Sequence, residues 1–150
     1  MNYTIRKAEP KDVYDLKDLY FVYLTQYPPT EEQDMKMWEE LVNEFSENEN
    51  NCLLVYEYNG KVVSTVHLNI IKNLTHNLRP YGIIENVVTH GDYRNMGFAS
   101  ALLERATEIA KKKNCYKIML ETGSNKESTL NFYRKNGFII DAKHSCLKRL

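Results

Sequence analysis

The segment GDYRNMGFA, residues 91–99, has the composition of an anion-binding turn. It follows a run rich in Ile and Val that ends at Thr89, and it leads into an apolar stripe of helical period: Phe98, Leu102, Leu103, Ala106, Ile109 and Ala110. A helix beginning here presents backbone N–H groups that have no intrahelical partner, together with the positive end of its dipole. Main chain alone can hold a pyrophosphate at such a place. Gly97 lets the backbone approach closely, Arg94 could add a charge-assisted hydrogen bond, and Ala99 is small enough to leave the first turn open. The same residues also suit a tight turn without a ligand. The Gly-Lys-Ser/Thr ending of a Walker loop and the GxGxxG fingerprint are both absent, which disfavours the ordinary nucleotide folds.

Two further segments add specificity. IIENVVTHGDY (residues 83–93) precedes the turn, and NFYRKNGF (residues 131–138) contains an aromatic-Tyr-x-x-x-Gly-Phe run. Arg94 to Ala99 matches a (Gln/Arg)-x-x-Gly-x-(Gly/Ala) pattern, and with these segments the chain resembles the GNAT family of N-acetyltransferases. The resemblance covers essentially the whole chain and is most specific from Ile83 to Phe138. It implies one N-acetyltransferase domain over residues 1–150. The implied fold is mixed α/β, with a mostly antiparallel central sheet splayed between strands four and five and helices on both faces. It also implies acetyl-coenzyme A as cosubstrate and a primary amine as acceptor. IIENVV and CYKIMLET look like segments of aminosugar-phosphate and other small-molecule acetyltransferases, which points to a small acceptor. Homodimers are common among such relatives, although nothing in the sequence locates an interface.

Carried onto this sequence, the resemblance puts main-chain groups of Val87, Val88 and Thr89 beside the pantetheine arm. It puts the backbone amides of Asn95, Met96, Gly97, Phe98, Ala99 and Ser100 on the pyrophosphate, with Arg94 contributing. Tyr133 stands where the family commonly places a tyrosine next to the thioester sulfur, in the role of general acid to the departing thiolate. An amine with a pKa of about 10.4 must lose a proton before it attacks, and Glu85 or Glu121, directly or through water, is the candidate acceptor. Family members often carry an asparagine seven residues before the tyrosine. Here Asn125 stands eight before Tyr133 and Lys126 takes the usual place, so Asn125 is either a coenzyme contact or turn chemistry. A reading from a different class is a coenzyme-A-binding regulatory or structural module without turnover.

The elements that must position these residues are legible as a series. Tyr3 to Lys7 reads as an opening strand. Pro10 suits a first helical turn, and Val13, Leu16, Tyr20 and Tyr23 follow at helical spacing. Thr30 and Gln33 read as a capping box for a second helix through Met35, Trp38, Leu41, Val42 and Phe45. Tyr20, Tyr23, Tyr27 and Trp38 could line the acceptor side. CLLVYEY and KVVSTVHLNII flank Asn59-Gly60, a two-residue hairpin turn. A polar loop from Asn73 to Arg79 precedes the strand Gly82 to Thr89. After the helix at Phe98 come a strand from Tyr116 to Glu121 and a Ser124/Glu127 capping box. A helix ending at Asn136-Gly137 follows, and two short strands finish the chain.

Composition narrows the functional classes. Lys plus Arg and Asp plus Glu are both 20, so no broad basic surface for nucleic acid is implied. No signal-peptide core is present, and no uncharged apolar run approaches the roughly 18 residues of a membrane span, so a cytoplasmic protein is expected. Cys52, Cys115 and Cys146 read as buried reduced thiols. The four histidines, His67, His76, His90 and His144, show no metal-ligand spacing, and no metal is expected.

Overall fold

The Asn59-Gly60 turn organises the sheet in a computed structural model that describes residues 2–150. Both residues take positive φ, 49° and 82°, the geometry whose twist matches that of two antiparallel strands. The strands it joins, β2 (Asn51–Tyr58) and β3 (Lys61–Ile71), pair from Asn51 opposite Asn69 to Tyr58 opposite Lys61. β1 (Tyr3–Lys7) runs antiparallel along β2, and β4 (Tyr81–Thr89) runs antiparallel along β3. β5 (Ile118–Leu120) lies parallel to β4 and completes the order β1-β2-β3-β4-β5. Tyr116 N–H to Pro80 O and Gly82 N–H to Lys117 O, both 3.0 Å, tie the start of β4 to the approach to β5.

Helices cover both faces, which is why the apolar runs of β2 and β3 are nearly unbroken. Leu53, Val55 and Val62 join Ala8, Val13, Leu16, Leu19 and Val42 in one buried cluster. Tyr56 instead stacks on Phe98 at 4.2 Å between ring centroids. After a turn at Pro10–Asp12, α1 (Val13–Asp18) does not continue as an α-helix through Tyr23. From Leu19 to Leu24 it widens into a π-helix, closed by Thr25 N–H to Tyr20 O at 2.8 Å. The Arg6 guanidinium donates to both Asp12 oxygens (2.7 and 2.9 Å) and also to Glu57, fixing the start of this helix to β1 and β2. Burial alone pushes the Asp12 carboxyl up, but the Arg6 fork and the Glu9 N–H hold it below the usual carboxylate range.

α2 (Met35–Glu47) begins differently from the expected capping box. Asp34 is the cap, its Oδ1 accepting from Lys36 N–H (3.1 Å) and Met37 N–H (3.3 Å). Asp34 stands immediately before the helix, and a carboxylate at the positive end of the dipole competes better than a more distant threonine hydroxyl. The loop at 73–79 contains a single turn, α3 (Thr75–Leu78), in which His76, Asn77 and Leu78 take φ of 56°, 59° and 64°. α4 (Phe98–Lys112) buries Phe98, Leu102, Leu103, Ala106 and Ala110, the expected stripe without Ile109.

The described residues up to Met119 form one compact unit, and Leu120–Leu150 form a second. In the second, α5 (Glu127–Lys135) has Lys126 at its N-cap position. Ser124 lies two residues too early for a capping box and instead accepts from Lys126 N–H at 3.3 Å, while Glu127 pairs with Arg134 at 3.0 Å. The helix closes at Gly137 (φ 88°), with Gly137 N–H to Arg134 O and Phe138 N–H to Tyr133 O, both 3.0 Å. This is the paired closure a left-handed glycine permits. The two expected final strands do not form among the described residues. Asp141 takes φ 59° and interrupts the run, leaving Ile139 and Leu147 exposed. Cys52 is buried as expected, Cys115 is half-buried and Cys146 is exposed.

Candidate active site

β4 carries a bulge where the sequence places Glu85. Glu85 lies opposite His67 and Val88 opposite Thr65, so β4 spends one residue more than β3 over this stretch. Asn86 takes φ 54° to accommodate it. Bulges re-aim side chains and release main-chain groups from a ladder, and they recur beside active sites. Glu85 and Asn86 are exposed, Val87 and Thr89 half-buried, and Val88 buried. Ser64 Oγ donates to Val88 O (3.0 Å) and shares a 2.7 Å hydrogen bond with Thr89 Oγ1, which fixes the end of the strand.

The turn beyond β4 has the form an anion site needs. Asn95 and Gly97 take φ of 60° and 83°, so the main chain passes twice through the left-handed region before α4 begins. Such turns bring successive N–H groups to one concave face. α4 is 15 residues long and has no acidic side chain in its first turn, so nothing there opposes a bound anion. A Cβ on Gly97 would meet no atom within 4 Å, so the glycine is required by its φ and not by crowding. Arg94, Asn95, Met96 and Gly97 are exposed, Ala99 and Ser100 half-buried. Phe98 turns inward onto Tyr56 and Tyr58 and anchors the helix start. These residues fit a pyrophosphate held by main chain.

In the second unit Tyr133 is buried, with Phe132 at 5.1 Å and Phe138 at 5.9 Å, both edge-on. The Phe138 contact accompanies the helix closure, so the motif glycine also holds the tyrosine ring. Burial pushes the Tyr133 hydroxyl above its ordinary value, which keeps it protonated through the neutral range. Glu121 follows β5, is exposed, and accepts a hydrogen bond from Ser145 Oγ at 2.9 Å. Asn125 is exposed in the turn before α5.

Two histidines of the first unit, His90 and His67, make contacts that the sequence reading did not assign. His90 is buried, its Nδ1 accepting from Asp92 N–H at 3.2 Å and its Nε2 lying 3.2 Å from the Tyr23 hydroxyl. Tyr23 thus faces His90. Tyr20 and Trp38 pack on the core cluster and Tyr27 is exposed. Burial pushes the Tyr20 hydroxyl up to about 12, partly offset by a hydrogen bond with Thr65. His67, opposite Glu85, bonds through Nε2 to Asn51 Oδ1, and burial lowers its pKa. The bulge had a signal, the polar Glu85-Asn86 pair inside an apolar run. The Tyr23–His90 pair, 67 residues apart, had none.

The sequence model of the Acetyltransferase (GNAT) family matches residues 12–138. A glucosamine 6-phosphate N-acetyltransferase of Trypanosoma brucei brucei is 38% identical over 79 residues, 53% of this chain and 52% of that protein. Streptothricin acetyltransferase A of Bacillus subtilis (strain 168) is 30% identical over 125 residues, 83% of this chain and 64% of that protein. The chain thus spans between half and two-thirds of the length of these curated relatives. A solved structure from Agrobacterium tumefaciens str. C58 superposes with a TM-score of 0.87 at 33% identity, covering 97% of this chain and 99% of that one. With the family model matched over residues 12–138, which is most of its length, this chain belongs to the GNAT family of acetyltransferases.

Proposed function

We propose that this protein transfers the acetyl group of acetyl-coenzyme A to a primary amine of a small molecule, in one direct step within a ternary complex. The observation that carries this reading is the left-handed Asn95–Gly97 turn that opens α4 a few residues beyond the bulged β4, where the first-turn N–H groups have no intrahelical partner. The acceptors named for two relatives, glucosamine 6-phosphate and streptothricin, support a small-molecule amine. Among the described residues no helix is long and apolar enough to cross a membrane, and a cytoplasmic setting suits this cosubstrate.

In the proposed reaction the amine first gives a proton to Glu85 or Glu121, directly or through water. Its nitrogen then attacks the thioester carbonyl, the C–N bond forms, and a β4 main-chain N–H stabilises the oxyanion. The C–S bond breaks, the thiolate takes its proton from Tyr133, and the second proton that the nitrogen sheds as the amide forms passes to water, from which the phenolate is reprotonated. A phenol near 10 is a weaker acid than a thiol near 8.5, so full transfer is uphill by roughly 2 kcal/mol before burial adds to it. Tyr133 therefore acts by hydrogen-bonding to sulfur as negative charge develops, while its proton remains in place until the bond is nearly broken. A thiol-release assay with acetyl-coenzyme A over a panel of amines tests the reading. Amine-dependent release is expected. Coenzyme binding without release on any amine would overturn it in favour of a binding module.

A further inference from the structure

We propose that Tyr23 and His90 are positioning residues that brace the coenzyme-binding turn against the π-helical end of α1. The inference rests on the acyltransfer reading for its ligand but on independent geometry for the brace itself. Tyr23 touches the turn in three ways. Its hydroxyl lies 3.2 Å from His90 Nε2, with the two rings 4.6 Å apart. Its ring lies so close over Gly91 that a Cβ there would come within 2.9 Å of Tyr23 Cε1. The Arg94 guanidinium stands over the same ring at 5.8 Å, while Arg94 Nε donates to Thr89 O at 3.4 Å.

His90 extends the contact into the turn. Its Nδ1 accepts from Asp92 N–H at 3.2 Å and so caps the single turn Gly91–Tyr93. With Nδ1 accepting, a neutral ring carries its proton on Nε2 and donates it to the Tyr23 oxygen at 3.2 Å, while Lys61 Nζ stands farther from the same nitrogen at 3.5 Å. His90 N–H also bonds Val63 O at 2.9 Å, which anchors the histidine to β3. One aromatic side chain on the first helix therefore contacts or is linked to Gly91, the Asp92 amide and Arg94, on the path that leads to Asn95 and Gly97. The widening of α1 at Leu19 sets the rotation at which Tyr23 leaves the helix. Neither ring has to touch the coenzyme. Their effect is to hold the amides of residues 95–100 in the arrangement that receives pyrophosphate, so that less ordering remains when the ligand binds.

The test uses Tyr23→Phe, which keeps the ring over Gly91 and Arg94 but loses the hydroxyl. It also uses His90→Asn, whose side-chain oxygen can still cap Asp92 but cannot reach Tyr23, and the double variant. In each variant the Kd for coenzyme A and the KM for acetyl-coenzyme A should rise roughly fivefold, the effect of one lost hydrogen bond, with kcat nearly unchanged. The double variant should be no worse than either single one, because both remove the same link. In the ligand-free proteins, amide hydrogen exchange at residues 92–97 should speed up. Unchanged Kd and KM, or a fall in kcat with KM preserved, would overturn the proposal. If the wild-type protein itself fails to bind coenzyme A, the acyltransfer reading fails. Exchange then decides the brace alone: unchanged exchange in Tyr23→Phe would refute it, and faster exchange would sustain it.

Discussion

Burial shifts Tyr133 and His67 in opposite directions, and each shift leads to a test. Burial holds the Tyr133 phenol protonated, so Tyr133→Phe should lower kcat by about 10²–10⁴ while leaving the Kd for coenzyme A within twofold. Steady-state kinetics and calorimetry on the same preparation check this, and an unchanged kcat would remove the general-acid role. His67 is shifted the other way, its pKa lowered by burial. Between its folded value and about 6.5 the unfolded chain binds the extra proton, so stability falls as pH drops below about 6.5. Thermal unfolding of His67→Gln should therefore show a smaller loss of Tm from pH 7 to pH 5 than wild type. An equal loss would mean that other groups carry the dependence. At this scale the turn at residues 94–97 and the helix start at Phe98 were readable because helix-start chemistry is local in sequence. Tyr23 and His90 were not, because a buried hydrogen bond between residues so far apart leaves no spacing to recognise.

At the scale of elements, the Gly97 turn ties sequence to site most directly. With φ at 83° and open space where a Cβ would go, Gly97→Ala should cost about 1–2 kcal/mol through backbone strain alone. The strain is relieved if the turn rearranges, so coenzyme binding should weaken even where Tm recovers. Chemical denaturation together with calorimetry would show both effects, and full stability with full binding would mean that the left-handed turn is not needed. The hairpin and the closure at Gly137 were legible because glycine and asparagine take positive φ most readily, and the α4 stripe because its apolar residues recur at helical period. Helix starts were less so. Thr30/Gln33 and Ser124/Glu127 both satisfy the spacing of a capping box, yet Asp34 and Lys126 occupy the cap positions, since several polar residues precede each helix and only the backbone path selects among them. The π-helical widening at Leu19 likewise keeps an apolar pattern close to that of an ordinary helix.

At the scale of the molecule, four antiparallel strands in sequence order followed by one parallel strand make most of the sheet a product of neighbouring segments. This is why element order could be read from one sequence. The final strands were misread for the opposite reason: a strand exists only where an edge pairs with it, and the apolar residues from Phe138 onward carry the pattern without the pairing. The formal charge of zero means that an anionic cosubstrate is not gathered by the overall field and depends on the local turn. Calorimetric titration of the wild-type protein with coenzyme A, acetyl-coenzyme A and NAD therefore tests the central claim most directly. The account predicts that both coenzyme A forms bind with a similar Kd and that NAD does not bind. Absence of coenzyme A binding, or NAD binding as tight, would contradict the assignment of residues 94–100 as a coenzyme A pyrophosphate site.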